Sequence, residues 1–215
     1  MEKTYLFDFD GTLVDSMPTF IRVMLRILDE EGIGYGEDIV NIITPLGYHG
    51  TAEYFRSLGI RESAEALVAR MNAYALFEYR ERILAKEGVA DTLRALAERG
   101  ASLNVLTASP HAMLDPCLLR LGLYDLFDHV WSCDDFHTGK TDIAIYGKCA
   151  EALGVGVGEC VFLDDNYNAL ETARASGMRT VGVFDESSRI YTEQIRALCD
   201  GYVEVLHELI ALFSL

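Results

Sequence analysis

Residues 5–16 read Tyr-Leu-Phe-Asp-Phe-Asp-Gly-Thr-Leu-Val-Asp-Ser, and they set the expectations for the rest of the chain. The apolar residues predict a short buried strand, over residues 4–9, that ends in Asp8 and Asp10 before Gly11 breaks it. Because side chains alternate faces along a strand, these two carboxylates can project to the same side. Acids placed near an apolar core need a cation or a proton to compensate them. The stretch therefore favours a divalent-metal site with a nucleophilic aspartate over an acidic surface turn.

Strands and helices alternate in the second half of the chain. Apolar or β-branched runs at 102–107, 129–132, 160–164 and 179–184 predict strands, and helical patterns lie at 90–99, 111–121, 143–153 and 169–176. This alternation is typical of parallel βαβ units. A glycine follows each helical pattern, where the left-handed conformation of a C-cap suits it, at positions 100, 122, 154 and 177. We predict an α/β fold with a doubly wound, Rossmann-like parallel sheet.

Residues 16–87 interrupt this alternation. They show amphipathic helical patterns, for example at 17–31 and 62–86, and no convincing strand. So many helical residues are too many for a single connection between a strand and its helix. We predict that residues 16–87 form an inserted helical cap domain and that residues 1–15 and 88–215 form the α/β core. The last stretch, 203–215, is expected to be a docking helix.

Composition restricts the partners of the chain. A formal net charge of −16 disfavours nucleic acid as a partner, while a small anionic substrate remains possible beside a local cation. The five cysteines contain no Cys-x-x-Cys pair, which favours free thiols in a reducing cytosol over a disulfide framework. The sequence shows neither a signal peptide nor an apolar run long enough to cross a bilayer. We predict a cytoplasmic protein without a membrane partner.

Two further segments carry candidate phosphate-binding groups at the edge of the predicted sheet. Thr107-Ala108-Ser109-Pro110 ends one strand, and its hydroxyl and backbone N–H groups suit a phosphate oxygen, although helix capping by Ser109 explains it as well. Lys140 lies in a glycine-containing loop before a helix. It could neutralise charge on a nucleophile and a phosphate, or it could be an ordinary solvated lysine.

Asp164 and Asp165 lie at the end of another buried strand. In a parallel α/β sheet, ligands bind outside the carboxyl ends of the strands, so these acids are expected to meet Asp8 and Asp10. Carboxylates gathered in this way repel each other by several kcal/mol unless a cation lies among them. Oxygen-only ligands favour Mg²⁺.

The run Asp-Phe-Asp-Gly-Thr-Leu at 8–13 resembles the signature of the haloacid dehalogenase-like hydrolases, and the later elements follow in the order of that family. The resemblance is to its phosphoglycolate phosphatase-like branch, which carries a helical cap at this point. It implies that Asp8 attacks phosphorus to form an aspartyl-phosphate and that Asp10 is the general acid and base. It also implies a Mg²⁺ cofactor and a small phosphorylated metabolite as the substrate.

The same resemblance implies a role for each motif residue. The catalytic residues it implies are Asp8, Asp10, Thr107 and Lys140. The substrate-binding groups are Gly11, Thr107, the backbone N–H of Ala108, and Lys140. The metal residues are Asp8, the backbone carbonyl of Asp10, and Asp165, with Asp164 in support.

Several alternatives stay open at the level of sequence. Carbon–halogen dehalogenases of the family lack the second acid, and its sugar-phosphate mutases have a histidine soon after the first signature, where residues 16–20 offer none. Phosphonate-cleaving relatives use a cap lysine, for which Lys86 is the candidate. A binding protein without turnover is suggested by Ala108, Thr141 and Ala169, which depart from the family pattern. A phosphorylation switch of the receiver type would place its acidic pair first, unlike this chain.

Overall fold

A parallel six-stranded sheet organises the larger of two compact units of the chain. The structure is a computed structural model that describes residues 4–212. The strands are β1 (Thr4–Phe7), β2 (Ser102–Thr107), β3 (His129–Ser132), β4 (Cys160–Asp164), β5 (Arg179–Val183) and β6 (Gly201–Val203). Their spatial order is β3-β2-β1-β4-β5-β6, and every neighbouring pair is parallel. The predicted doubly wound α/β class is confirmed, with the switch in strand order between β1 and β4.

The helices connect the strands or form the second unit. In chain order they are α1 (Met17–Glu30), α2 (Ile39–Ile43), α3 (Gly47–Ser57), α4 (Ala64–Glu81), α5 (Val89–Glu98), α6 (His111–Arg120), α7 (Ala144–Leu153), α8 (Tyr167–Ala175), α9 (Thr192–Leu198) and α10 (Glu208–Leu212). The glycines predicted to end α5, α6, α7 and α8 all have positive φ, at positions 100, 122, 154 and 177. Left-handed C-caps therefore end these helices, as their sequence predicts.

The central strands are buried on both faces. Every residue of β1 and of β4 is buried, which explains their nearly continuous apolar sequence. Leu6 and Phe162 lie in one core cluster, together with Leu106, Ile145 and Leu170. Burial of these side chains removes apolar surface from water and fixes the position of the strand ends. The polar residues that follow β1, β2 and β4 are therefore held on a rigid framework.

The second unit comprises Ser16–Ile83 and contains helices α1 to α4. Its core includes Ile27, Phe55, Leu67 and Met71, each fully buried. Arg70 joins α4 to the end of α1 within this unit, because its guanidinium lies 2.8 Å from Glu30 and 3.0 Å from Glu31. Thr44–Leu46 is a 3-10 turn, and α3 starts at Gly47, so α2 and α3 are joined without an open loop.

Residues 84–86 pair with residues 13–15 of the sheet-bearing unit. Asp15 N donates to Leu84 O at 3.0 Å, and Lys86 N donates to Leu13 O at 3.0 Å, on either side of an antiparallel bridge between Val14 and Ala85. These backbone bonds cannot form while residues 84–86 continue a helix, so α4 ends at Glu81 and not at residue 86. The division between the units consequently falls after Ile83, earlier than the boundary at residue 87 expected from the sequence.

The C-terminal prediction of one docking helix over 203–215 is wrong in its first part. Gly201–Val203 forms β6, with Val203 in register with Val183 of β5. A strand of three residues containing glycine carries too short a pattern to be recognised from sequence. The helix that follows is α10, Glu208–Leu212, and the remaining residues of the prediction lie outside the described part.

All five cysteines are free, as predicted, and four of them are buried. Among residues 4–212, none of the helices combines the length and the apolar composition that a membrane span requires.

Candidate active site

Asp8 lies in the turn directly after β1, at the carboxyl edge of the sheet. The sequence predicted a strand over residues 4–9 that would include Asp8. The strand ends at Phe7, however, so both acids of the first motif lie after it. The backbone N–H of Asp8 donates to Leu163 O of β4 at 2.8 Å, which joins this turn to the neighbouring strand. The side chain of Asp8 is only 8% exposed. Asp8 is therefore placed at the switch in strand order, where such sheets bind ligands.

Lys140 inserts its ammonium group between two carboxylates. Its Nζ lies 2.5 Å from Asp8 Oδ1 and 2.8 Å from Asp164 Oδ2, and its side chain is 11% exposed. The contact with Asp8 is an ion pair that engages a buried carboxylate oxygen. The Tyr146 hydroxyl supports the Lys140 loop, since it lies 2.9 Å from Lys140 O. The interpretation of Lys140 as a solvated lysine is excluded.

Asp8, Asp164 and Asp165 form a cluster of buried carboxylates. One oxygen from each residue lies within 4.8 Å of the others, and this is the only such group of potential metal ligands within the described residues. Asp164 Oδ1 also accepts a hydrogen bond from Asn166 N at 2.7 Å. Three carboxylates face a single lysine, so the cluster holds more negative than positive charge. The oxygen-only donor set and the excess of negative charge both fit a Mg²⁺ ion.

Burial and mutual repulsion shift the pKa values of the groups in this cluster. Burial, followed by repulsion from Asp164, raises the pKa of Asp8 to about 7, although Lys140 opposes the shift. Burial, Asp164 and Asp8 together raise the pKa of Asp165 well above its ordinary range. Burial would lower the pKa of Lys140, yet the carboxylates of Asp164 and Asp8 outweigh it and raise that pKa. Lys140 therefore stays protonated, and further positive charge would stabilise the ionised carboxylates.

Gly11 brings the first motif into contact with Asp165. Its φ is +77°, and a Cβ atom at this position would lie 2.6 Å from Asp165 Oδ1. Thr12 follows, and its buried hydroxyl lies 3.4 Å from the same oxygen. A side chain at position 11 would therefore collide with the carboxylate. Gly11 is needed here for close approach, in addition to its predicted part in binding substrate.

Asp10 is held by a residue of another strand end. Ser109 Oγ donates a hydrogen bond to Asp10 Oδ2 at 2.5 Å. The expectation that Ser109 caps the next helix is wrong, because the N-cap of α6 is Pro110 and this serine points to Asp10. The carboxylate of Asp10 is not part of the three-carboxylate cluster, so a metal role for Asp10 has to rest on its backbone carbonyl.

Thr107 and Ala108 lie in the same turn after β2. Thr107 is buried, and its Oγ1 accepts a hydrogen bond from Ser109 N at 3.1 Å, which leaves the hydroxyl proton free to donate elsewhere. Ala108 is exposed. One edge of the sheet thus brings together the motifs at the ends of β1, β2 and β4 and the loop that carries Lys140.

Lys86 is a residue of this region whose place the sequence did not reveal. Its Nζ lies 2.5 Å from Gly11 O, 2.5 Å from Phe184 O and 3.0 Å from Asp185 Oδ2. It belongs to the sheet-bearing unit and not to the helical one, so the suggestion of a cap lysine is wrong. Ser109, Thr12 and Tyr146 were likewise missed as partners of the motif residues. Only the position of Thr12 within the first motif gave a signal in the sequence.

Most of the chain matches one family of known proteins. Residues 2–177 match the model of the haloacid dehalogenase-like hydrolases. Validoxylamine A 7′-phosphate phosphatase of Streptomyces hygroscopicus subsp. limoneus is 26% identical over 184 residues, covering 85% of this chain and 86% of that protein. Phosphoglycolate phosphatase of Pseudomonas putida is 26% identical, covering 94% of this chain and 80% of that protein.

A solved structure shows the same fold. A haloacid dehalogenase-superfamily hydrolase of subfamily IA from Geobacter sulfurreducens PCA superposes with a TM-score of 0.79 and 21% identity, covering 99% of this chain and 97% of that one. At this level of identity the likeness concerns the fold alone.

Proposed function

The chain belongs to the haloacid dehalogenase-like hydrolases, and from this membership and the site we propose that it is a Mg²⁺-dependent phosphatase of a small phosphorylated metabolite. The observation that carries the proposal is the buried cluster of Asp8, Asp164 and Asp165 around Lys140. This cluster presents a nucleophilic carboxylate beside groups that attract a cation and an anion. Phosphoryl transfer depends mainly on such positioning and charge neutralisation.

The metal is assigned to the carboxylates of Asp8 and Asp165, with the Asp10 carbonyl as a further ligand and Asp164 in support. When bound, Mg²⁺ supplies positive charge that offsets repulsion between these acids and the phosphate. The role of Asp164 differs from that of the other two acids, because its carboxylate already pairs with Lys140 at 2.8 Å and accepts a hydrogen bond from Asn166 N. We therefore assign Asp164 chiefly to holding Lys140.

The covalent steps follow from the two acids of the first motif. Asp8 attacks phosphorus, an Asp8–phosphorus bond forms, and the bond from phosphorus to the leaving oxygen breaks. Asp10 gives its proton to that oxygen, which departs as an alcohol. Asp10 then takes a proton from water, whose oxygen attacks phosphorus and displaces the Asp8 carboxylate. Inorganic phosphate is the product, and both aspartates return to their starting state.

Three groups are assigned to the phosphate oxygens during these steps. Lys140 supplies a fixed positive charge beside Asp8, because its pairing with Asp164 leaves it protonated. The Thr107 hydroxyl can donate a hydrogen bond, since its oxygen accepts one from Ser109 N. The backbone N–H of Ala108 lies in the same turn and serves without any contribution from its side chain.

The substrate class follows from the chemistry and from the relatives. Both of the phosphatases compared above act, by their names, on small phosphorylated molecules. The net charge of −16 argues against nucleic acid as a partner. We assign the helical unit Ser16–Ile83 the role of a cap that selects the substrate, as the family resemblance implies. A sugar-phosphate mutase is distinguished by its product, an isomeric sugar phosphate in place of inorganic phosphate.

The test is phosphate release from p-nitrophenyl phosphate with Mg²⁺ or with EDTA. Wild type is expected to release phosphate only with Mg²⁺, and Asp8→Asn is expected to be inactive but folded. Asp91→Asn is the matched control, because Asp91 is an exposed acid of α5, with 93% of its side chain accessible. Activity of Asp8→Asn close to that of wild type would contradict the mechanism. Activity of wild type in EDTA equal to that in Mg²⁺ would contradict the metal dependence.

A further inference from the structure

Lys86 uses all the donors of its ammonium group within the sheet-bearing unit. An ammonium carries three N–H donors, and Lys86 Nζ has three acceptors: Gly11 O, Phe184 O and Asp185 Oδ2. The side chains of Lys86 and Asp185 are 20% and 7% exposed. Lys86 thus joins the turn after β1 to the turn after β5, and both side chains of the ion pair are largely removed from solvent.

The Gly11 acceptor is the informative one, because it is the backbone of the catalytic motif. The carbonyl of Gly11 belongs to the peptide unit between Gly11 and Thr12, so a bond to this oxygen fixes the orientation of that peptide. Both residues of the unit touch Asp165. The Cα of Gly11 faces the carboxylate so closely that a Cβ would come within 2.6 Å, and the Thr12 hydroxyl lies 3.4 Å from Asp165 Oδ1. The contact chain therefore runs from Lys86 through Gly11 and Thr12 to Asp165.

The other partner, Asp185, is anchored independently. Its Oδ1 accepts hydrogen bonds from Ser187 N at 3.0 Å and from Ser187 Oγ at 2.7 Å. Asp185 is near enough to Asp165 that its charge contributes to the raised pKa of Asp165. The Asp185 carboxylate accordingly gives Lys86 a fixed support, and Lys86 in turn neutralises an acid close to the cluster.

We propose that Lys86 is a positioning residue for the metal site: by holding the Gly11 carbonyl, it keeps the Gly11–Thr12 peptide against Asp165 and so fixes the Asp165 carboxylate toward Asp8. This inference rests on the proposed function, since it concerns the same cluster. Groups that orient metal ligands from outside commonly affect metal affinity by about 10–100-fold. Lys86 acts through the backbone carbonyl of Gly11, and a contact of this kind leaves no motif in the sequence.

Electrostatics and positioning predict opposite effects for the loss of Lys86. Removal of a positive charge near the carboxylates would by itself strengthen the binding of a cation. Loss of the support for Gly11 would weaken it, because Asp165 would no longer be held in place. The sign of the change in Mg²⁺ affinity therefore separates the two effects. If Lys86 contributed to stability alone, its loss would leave the Mg²⁺ affinity unchanged.

The experiment is calorimetric titration of the metal-free protein with Mg²⁺, without substrate, alongside thermal unfolding. Lys86→Met is expected to raise the Mg²⁺ dissociation constant by about tenfold or more. At saturating Mg²⁺ its KM for p-nitrophenyl phosphate is expected to stay near that of wild type. Lys148→Met is the control, because Lys148 is an exposed lysine of α7 whose ammonium donates to the carbonyl of Phe136 at 3.2 Å.

The double variant Lys86→Met/Asp185→Asn separates positioning from simple neutralisation of Asp185. It removes both charges of the pair, and the proposal expects its Mg²⁺ affinity to remain weakened. Affinity restored to the wild-type value would show that the weakening in Lys86→Met comes from the buried, unpaired carboxylate of Asp185, and it would overturn the proposal. If Lys86→Met does not fold, Lys86→Gln serves in its place, because its amide can donate to Gly11 O but cannot reach three acceptors. We expect a smaller weakening for Gln.

A folded Lys86 variant that binds Mg²⁺ as tightly as wild type, or more tightly, overturns this inference alone, provided that wild type hydrolyses p-nitrophenyl phosphate. A wild type that neither binds Mg²⁺ nor releases phosphate overturns the proposed function, and this inference with it.

Discussion

Ser109 donates a hydrogen bond of 2.5 Å to Asp10 although the two residues lie 99 positions apart in the chain. Asp10 follows β1, and Ser109 follows β2, the parallel neighbour of β1. The bond exists because the sheet brings the carboxyl ends of these strands side by side. It fixes the orientation of the carboxylate to which we assign both proton transfers.

Replacement of Ser109 by alanine is expected to lower kcat for p-nitrophenyl phosphate by at least about tenfold, a part of the roughly 10²–10⁴-fold that general acid–base catalysis contributes. KM is expected to change little, because the phosphate-binding groups are untouched. Steady-state kinetics at saturating Mg²⁺ measure both constants. Ser176→Ala is the control, since Ser176 Oγ donates only to Ala173 O at the end of α8. An unchanged kcat in Ser109→Ala would show that Asp10 needs no such support.

Substitution of Gly11 by alanine is expected to impair both stability and Mg²⁺ binding, and Gly122→Ala provides a closely matched comparison. Both glycines have positive φ, +77° and +66°, so both substitutions carry a left-handed strain of about 1–2 kcal/mol. Gly11 faces Asp165, whereas no described residue beyond the chain neighbours of Gly122 lies within 4 Å of a Cβ placed there. Denaturant unfolding and Mg²⁺ titration of both variants measure the difference. Equal behaviour of the two variants would contradict the assigned contact between Gly11 and Asp165.

The sequence predicted the features that are written locally and missed those that depend on contacts across the fold. The acids after β1 and β4 were recognisable because each follows a buried apolar run. The position of Lys140 before a helix was readable, but its burial between Asp8 and Asp164 was not, since this requires two separate strand ends and the loop before α7 to meet. The same holds for Ser109, whose sequence context resembles an ordinary helix cap.

Backbone pairing explains two further differences from the sequence-based expectations. The helical pattern over 62–86 continues past the true end of α4, because nothing local signals that Leu84 and Lys86 pair with the 13–15 segment. Strand β6 is similarly supported by β5 and not by a pattern of its own. In both places, hydrogen bonds to distant backbone override local helical preference.

Replacement of Lys140 by methionine is expected to abolish phosphate release and to make folding dependent on Mg²⁺. The variant leaves the carboxylates of Asp8 and Asp164 buried without their cation, and loss of one partner of a buried ion pair costs about 3–5 kcal/mol. Thermal unfolding in EDTA should show a lowered Tm, and added Mg²⁺ should raise the Tm more than it does for wild type. Lys148→Met is again the control. A variant with wild-type Tm in EDTA would contradict the role of Lys140 as the internal cation of the cluster.

His111 at the start of α6 is expected to make stability depend on pH. Its Nδ1 lies 2.8 Å from Asp115 and its Nε2 2.9 Å from Asp135. The hydrogen bond to Asp115, followed by that to Asp135, raises the pKa of His111 above its ordinary value of 6.5, with burial opposing the shift. Because the folded-state pKa is the higher one, the stabilisation is complete below the unfolded value and is lost as the pH rises through the folded value.

Urea unfolding of wild type and His111→Gln at pH 5.5 and at pH 9 measures this contribution. The wild type is expected to exceed the variant in free energy of unfolding at pH 5.5 by at most about 1 kcal/mol, since all three side chains are at least one-third exposed and solvent screens the pairs. The difference should shrink toward zero at pH 9, where His111 is neutral. Asp135→Asn should reduce the difference at pH 5.5, because it removes one of the two carboxylates that favour the charged ring. A difference that is the same at both pH values would mean that His111 contributes by packing and hydrogen bonding alone.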